Sequence, residues 1–143
     1  RPDIPTILVI GDGAFLMNPA MLMVERDLNL SNLTHILVSN RVYGGTSDLD
    51  LPNKPITDYV AMAKSMGLER CWNFETMSAL EDNFDAAFRG NDEGHSFVAL
   101  EVDPFTAEDH KVEEPPMDGP EIKFRFGRYI EETYGAKVFT HQL

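Results

Sequence analysis

Near its start the chain carries an unbroken run, Thr6-Ile7-Leu8-Val9-Ile10, that stops abruptly at Gly11-Asp12-Gly13. A run this short, rich in β-branched residues and ended by glycine, predicts a strand, and its lack of polar alternation predicts burial on both faces of a parallel sheet. Similar runs return at His35–Ser39 and Ser96–Val102, with a shorter one at Cys71–Phe74. Longer amphipathic segments stand between them. Ala20–Leu28 follows Asn18-Pro19, a cap and a first-turn proline, and a second helix runs from a Thr57 cap to Met66, where Gly67 stops it. A third begins at Thr76 or at Ser78, the latter forming a capping box with Glu81, and ends at Arg89 before Gly90. Strands alternating with helices predict an α/β fold, three layers around a mainly parallel sheet.

The 143 residues suffice for one core, and the single cysteine, Cys71, excludes an internal disulfide. A reducing, cytoplasmic location is expected. No apolar run approaches the roughly 20 residues of a membrane-spanning helix, and no signal-peptide layout opens the chain. The first residues are Arg1-Pro2 rather than methionine, so a processed product or a fragment is expected. The net charge of -12 is uneven: residues 1–74 hold 8 acids and 6 bases, residues 75–143 hold 16 and 6. Between Glu101 and Glu121 eight carboxylates face one base, Lys111, which argues against nucleic acid as a partner. We expect an α/β domain over residues 1–103, and an acidic extended tail over 104–143 carrying one helix from about Glu121 to Tyr134.

Gly11-Asp12-Gly13-Ala14 sits where the first strand ends, the place where open α/β sheets bind ligands. A dinucleotide fingerprint would need a third glycine where Leu16 stands and an acid ending the second strand, where Ser39-Asn40 stands instead. A Gly-Lys-Ser/Thr phosphate loop is also absent. What remains is a carboxylate, Asp12, and an amide, Asn40. The 26 residues between Gly13 and Asn40 make one strand-helix-strand crossover, which brings both side chains to one sheet edge. Oxygen donors such as these suit Mg²⁺, which takes one or two protein ligands and completes its shell with water and phosphate.

Gly11-Asp12-Gly13 followed at this distance by Asn40 resembles the diphosphate-binding motif of thiamine-diphosphate-dependent enzymes, carried by their C-terminal pyrophosphate-binding domain. More narrowly, residues 11–18 (GDGAFLMN), 32–34 (NLT) and 40–46 (NRVYGGT) are similar to the sulfopyruvate and phosphonopyruvate decarboxylase group. The resemblance spans about residues 4–103 and implies the Rossmann-like thiamine-diphosphate fold. It implies that Asp12 and Asn40 ligate Mg²⁺ through their side chains and Val42 through its carbonyl. Gly11, Gly13, Ala14, Tyr43 and Gly44 would border the cofactor, with the Gly13 and Ala14 amides on the diphosphate. Thr46 and Ser47 would face an anionic 2-oxo acid substrate.

The chemistry implied is nucleophilic attack by the cofactor on the 2-oxo acid carbonyl with loss of CO₂, the protein positioning and polarising. Arg41 departs from the asparagine or small residue that many members carry there. The family's activating glutamate lies on another domain, so a pyrimidine-binding partner domain or subunit, in a homo- or hetero-oligomer, is expected to complete the site. The alternatives are part of an acetolactate synthase-like carboligase, or a non-catalytic α/β module for another phosphorylated ligand.

Other residues carry plainer expectations. Met17, Met21, Met23, Met62 and Met66 are expected in the core. His35, His95, His110 and His141 form no i,i+4 pair, which argues against a histidine metal site and assigns His35 a structural place. Cys71 is expected to be a buried apolar group.

Overall fold

The computed structural model describes residues 4–28, 30–44, 49–89, 94–104 and 119–139. In chain order the elements are β1 (Thr6–Gly11), α1 (Asp12–Phe15), α2 (Met21–Asp27), β2 (Leu33–Ser39), α3 (Tyr59–Ser65), β3 (Arg70–Phe74), α4 (Met77–Phe84), β4 (Ser96–Glu101) and α5 (Gly119–Tyr134). A π-helical turn, Asp85–Arg89, continues α4. The chain divides into two compact units, Arg1–Thr106 and Ala107–Leu143.

In the first unit four strands form one sheet in the order β1-β2-β4-β3, every pair parallel. All four carboxyl ends therefore open on the same edge. Residues in register share a face, so His35, Leu37 and Ser39 of β2 line up with Phe97, Ala99 and Glu101 of β4. That face is covered by Phe15 of α1, Leu22 of α2, and Tyr59 and Ala63 of α3, which with Leu37, Leu68, Phe97 and Ala99 make the main core. On the opposite face Phe74 and Val98 pack against Ala87 of the π-helical turn, with Trp72, Leu80, Phe88 and Leu100 beside them.

This second cover does not extend over β1, and here the expectation of a strand buried on both faces is corrected. β1 is an edge strand, and its Ile7 and Val9 side chains are 63% and 62% exposed. Sequence periodicity reports apolar character, not which faces the remaining layers reach. Met17 and Met23 likewise stand on the solvent side, 77% and 59% exposed, whereas Met21, Met62 and Met66 pack against the core.

Helix starts also shift. Thr57 is not the cap of α3: its hydroxyl donates to the Asn53 carbonyl at 3.0 Å, and Asp58 accepts from Ala61 N at 2.8 Å instead. For α4 the structure selects Thr76, which accepts from Ala79 N at 3.2 Å. Asn18 makes no cap for α2, whose first flanking residue is Ala20, because the preceding turns use the Asn18 and Pro19 carbonyls.

In the second unit α5 occupies Gly119–Tyr134, and residues 105–118, where the extended acidic stretch is expected, lie outside the described residues. Glu131 Oε1 accepts from the backbone amides of Val138 and Phe139 at 3.0 and 2.9 Å, turning the chain back onto α5 after Gly135. Phe139 then lies so close to Gly127 that a methyl there would stand 2.3 Å from its ring.

Candidate functional site

Asp12 stands at the first position after β1 and is 2% exposed. A buried carboxylate needs donors, since without them its desolvation would be uncompensated. Oδ2 accepts from the Arg41 backbone amide at 2.8 Å, from Ser39 Oγ at 3.1 Å and, at 3.5 Å, from the Tyr59 hydroxyl. Oδ1 accepts from Gly13 N at 2.9 Å. The crossover from β1 through α2 to β2 thus brings the Asn40-Arg41 corner onto Asp12, as the spacing predicts.

The corner is sharply turned. Asn40 Oδ1 accepts from Val42 N at 3.1 Å, and Arg41 between them sits at φ +62°, a left-handed conformation that costs a non-glycine residue energy. Val42 then pairs in an isolated antiparallel bridge with Asp50, reinforced by Tyr43 N to Leu49 O at 2.8 Å and Leu51 N to Arg41 O at 3.0 Å.

Arg41 offsets that conformational cost with its side chain. Nη2 and Nε donate to Glu101 Oε1 and Oε2 at 2.5 and 2.9 Å, and Nη1 donates to the Thr57 and Lys54 carbonyls at 2.8 and 3.2 Å. The guanidinium also lies 4.8 Å from the Tyr59 ring centroid. Hydrogen bonding to Glu101 outweighs desolvation and raises its pKa further. Burial, and then the charge of Asp12, push the Tyr59 phenol up to about 12, so it stays a donor. Neither Arg41, Glu101, Ser39 nor Tyr59 stood out by sequence spacing, because each meets Asp12 or its corner only through the fold.

Gly13 is needed here for space: a methyl on it would lie 2.9 Å from Tyr43 Cδ1, whereas a methyl on Gly11 would meet nothing within 4 Å. The backbone at Gly11 is therefore open to close approach by a ligand. Ala14 lies exposed in the first turn beyond Asp12, and Gly44 is exposed at the end of the Asn40 corner. Thr46 and Ser47 lie outside the described residues. Beyond the Arg41–Glu101 pair a cavity of about 450 Å³ is lined by Arg41, Glu75, Glu101, Val102 and Asp103. Its three carboxylates make it unsuited to an anion.

The donors at this edge are oxygens: the Asp12 carboxylate, the Asn40 amide and the Val42 carbonyl. They fit a hard cation holding a diphosphate, and Oδ1 of Asp12, which accepts from Gly13 N, has lone-pair capacity left for it. The described residues thus suit a magnesium-bridged diphosphate.

At the amino-terminal edge His35 is fully buried beside the core, as a structural histidine would be, and a second histidine lies near it that spacing does not link to it. His35 of β2 and His95, directly before β4, converge on Glu25 of α2 and form a three-residue group able to hold a metal. Burial would push the Glu25 carboxyl up, but its polar contacts with His35 and His95 reverse this and hold it at about 2. Side chains 60 positions apart along the chain cannot be joined by helical spacing rules.

Cys71 packs against the main core, and burial pushes its thiol up to about 11. Among the described residues no helix is long and apolar enough to cross a membrane. Residues 1–102 match the family model described as "Thiamine pyrophosphate enzyme, C-terminal TPP binding domain". Among curated proteins no match is found.

Proposed function

The chain belongs to the thiamine pyrophosphate enzymes through their C-terminal cofactor-binding domain, and on that premise we propose that it is the cofactor-binding part of a 2-oxo acid decarboxylase. The observation that carries this reading is Asp12, a buried carboxylate held by Gly13 N, Ser39 Oγ and Arg41 N beside the Asn40 corner. Asp12 and Asn40 would hold Mg²⁺ through side-chain oxygens and Val42 through its carbonyl, and the ion would supply positive charge for the diphosphate. When bound, thiamine diphosphate supplies the nucleophile that makes loss of CO₂ from a 2-oxo acid possible.

This chain's own residues do the holding. Arg41 locks the corner to β4 through Glu101, and Tyr59 keeps its proton beside Asp12 Oδ2. The uncrowded backbone at Gly11 lets the cofactor approach. The sulfopyruvate and phosphonopyruvate decarboxylase group is favoured by the sequence around residues 11–18 and 40–46. The glutamate that activates the cofactor ring is assigned to a pyrimidine-binding partner domain or subunit, and the substrate is a small anionic 2-oxo acid near Thr46 and Ser47.

The test is calorimetric titration of thiamine diphosphate, with and without Mg²⁺, into the protein purified with its native partner chain. Binding that needs Mg²⁺ and is lost in Asp12→Ala and Asn40→Ala supports the reading. Binding indifferent to chelator and to both substitutions overturns it, and preference for a nucleotide would favour a phospholigand module. With pyruvate alone, aldehyde product identifies a decarboxylase and acyloin product a carboligase.

A further inference from the structure

Three potential metal ligands from three separate elements meet at the edge of the sheet opposite Asp12. His35 Nδ1 lies 3.1 Å from both Glu25 carboxylate oxygens, and His95 Nε2 lies 3.2 Å from Oε2. One donor atom from each residue falls within 4.8 Å of the other two. The two imidazoles are 0% and 6% exposed.

The rings are poorly satisfied as they stand. His95 Nε2 meets Glu25 in an ion-pair contact at 3.2 Å that lacks hydrogen-bond geometry, and among the described residues neither His95 nitrogen nor His35 Nε2 has a hydrogen-bond partner. Packing holds them in place: His35 is wedged against Phe15 and Phe97, with ring centroids at 6.1 and 5.2 Å. Buried polar atoms in native proteins are normally paired, and those that are not call for an explanation.

A bound cation supplies one. Around an ion with tetrahedral bonds of about 2.0–2.1 Å, neighbouring donors sit about 3.3 Å apart, and both contacts to Glu25 are already near that spacing. Two imidazoles and a carboxylate suit zinc-class ions, whereas magnesium prefers oxygen alone. A cavity of about 140 Å³ opens beside Glu25 and His95, lined also by Arg26, Arg70 and Gly94. It offers a path in and room for a water or small anion on the ion.

We propose that Glu25, His35 and His95 form a three-ligand site for a divalent transition ion of the zinc class, with its fourth position open to this cavity. The site is separate from the magnesium-diphosphate site at the other edge and does not depend on that assignment.

The experiment strips the full chain, with its native partner, of metal using a chelator and then equilibrates it with zinc in a large excess of magnesium. One zinc per chain is expected, and X-ray absorption should show two imidazoles in its coordination shell. His95→Gln, altered just outside β4, should weaken zinc binding on the order of 100-fold with an unchanged circular dichroism spectrum, a size typical of losing a metal-site partner. Asp12→Ala should lose magnesium-dependent cofactor binding yet keep its zinc, which separates this site from the proposed function. A folded wild-type chain that takes up no equimolar zinc overturns the proposal, as does a His95→Gln variant that binds equally. Should His95→Gln misfold, the wild-type absorption spectrum decides, and a shell without two imidazoles refutes the site.

Discussion

The backbone amide of Arg41 donates to Asp12 Oδ2 at 2.8 Å across a sequence separation of 29 residues. That single bond ties the end of β1 to the corner after β2, so the site's carboxylate and its amide-bearing turn are one structural unit. Removing Asp12 therefore disturbs the corner as well as the proposed ligand set.

Asp12→Ala strands the Ser39 hydroxyl and the Arg41 amide in a buried place. A stability loss of about 1–3 kcal/mol is expected from unsatisfied donors of this kind. Asp12→Asn keeps one acceptor oxygen and should lose less, while still failing to bind cofactor through magnesium. Urea denaturation of the two variants beside wild type checks the order; equal stability of Asp12→Ala and wild type would contradict the burial of this network.

Arg41→Ala should destabilise the chain more than Glu101→Gln does. The alanine leaves the Glu101 charge half-buried and alone, frees the Thr57 and Lys54 carbonyls, and keeps a non-glycine residue at positive φ. A loss of about 2 kcal/mol is expected for breaking a partly buried, charge-assisted pair. Arg41→Lys should rescue little, because an ammonium cannot grip both Glu101 oxygens and two carbonyls at once. Thermal melts of the three variants read this directly.

Gly13→Ala pushes a methyl into the Tyr43 ring, and an overpacking cost of about 1–3 kcal/mol is expected. Pairing it with Tyr43→Ala should recover much of that loss, a coupling that a double-mutant cycle measures. Gly11→Ala meets nothing in the protein and should leave stability within about 0.5 kcal/mol, the range of substitutions that disturb no such feature. If Gly11→Ala nevertheless weakens cofactor binding, the added methyl occupies ligand space.

Burial holds the Cys71 thiol at about 11 against an ordinary 9.0. The folded state keeps its proton where the unfolded chain has lost it, so this group's contribution to stability is complete below pH 9 and is lost as the pH rises through about 11. At pH 8 its thiolate fraction should be about 100-fold lower than that of a free thiol, from two units of pKa. Alkylation of the native protein should be slower than that of the urea-unfolded chain by a factor of this order, and equal rates would refute the burial.

Much of the fold is legible locally. Continuous apolar runs mark β1, β2 and β4, glycines mark where helices stop, and Thr76 caps α4 as one of two readings offered. That Asp12 and Asn40 share one sheet edge also follows from spacing, because one crossover returns the chain there. Capping at Asp58 rather than Thr57 was not legible, since Thr57 is drawn to Asn53 and Arg41 by the loop that precedes the helix.

The sequence by itself determined the alternation of strands and helices and the oxygen-rich motif at the end of the first strand, because both are written in periodicity and short-range spacing. The tertiary structure decided what depends on strand order. With β1 at an edge, Ile7 and Val9 are open to solvent. With β4 inserted beside β2, Glu101 reaches Arg41, and His95 reaches His35 and Glu25. These contacts join residues as many as 70 positions apart, and no local pattern selects them. They exist because β4 pairs with β2 in parallel register, which sets the ends of the two strands side by side at both edges of the sheet.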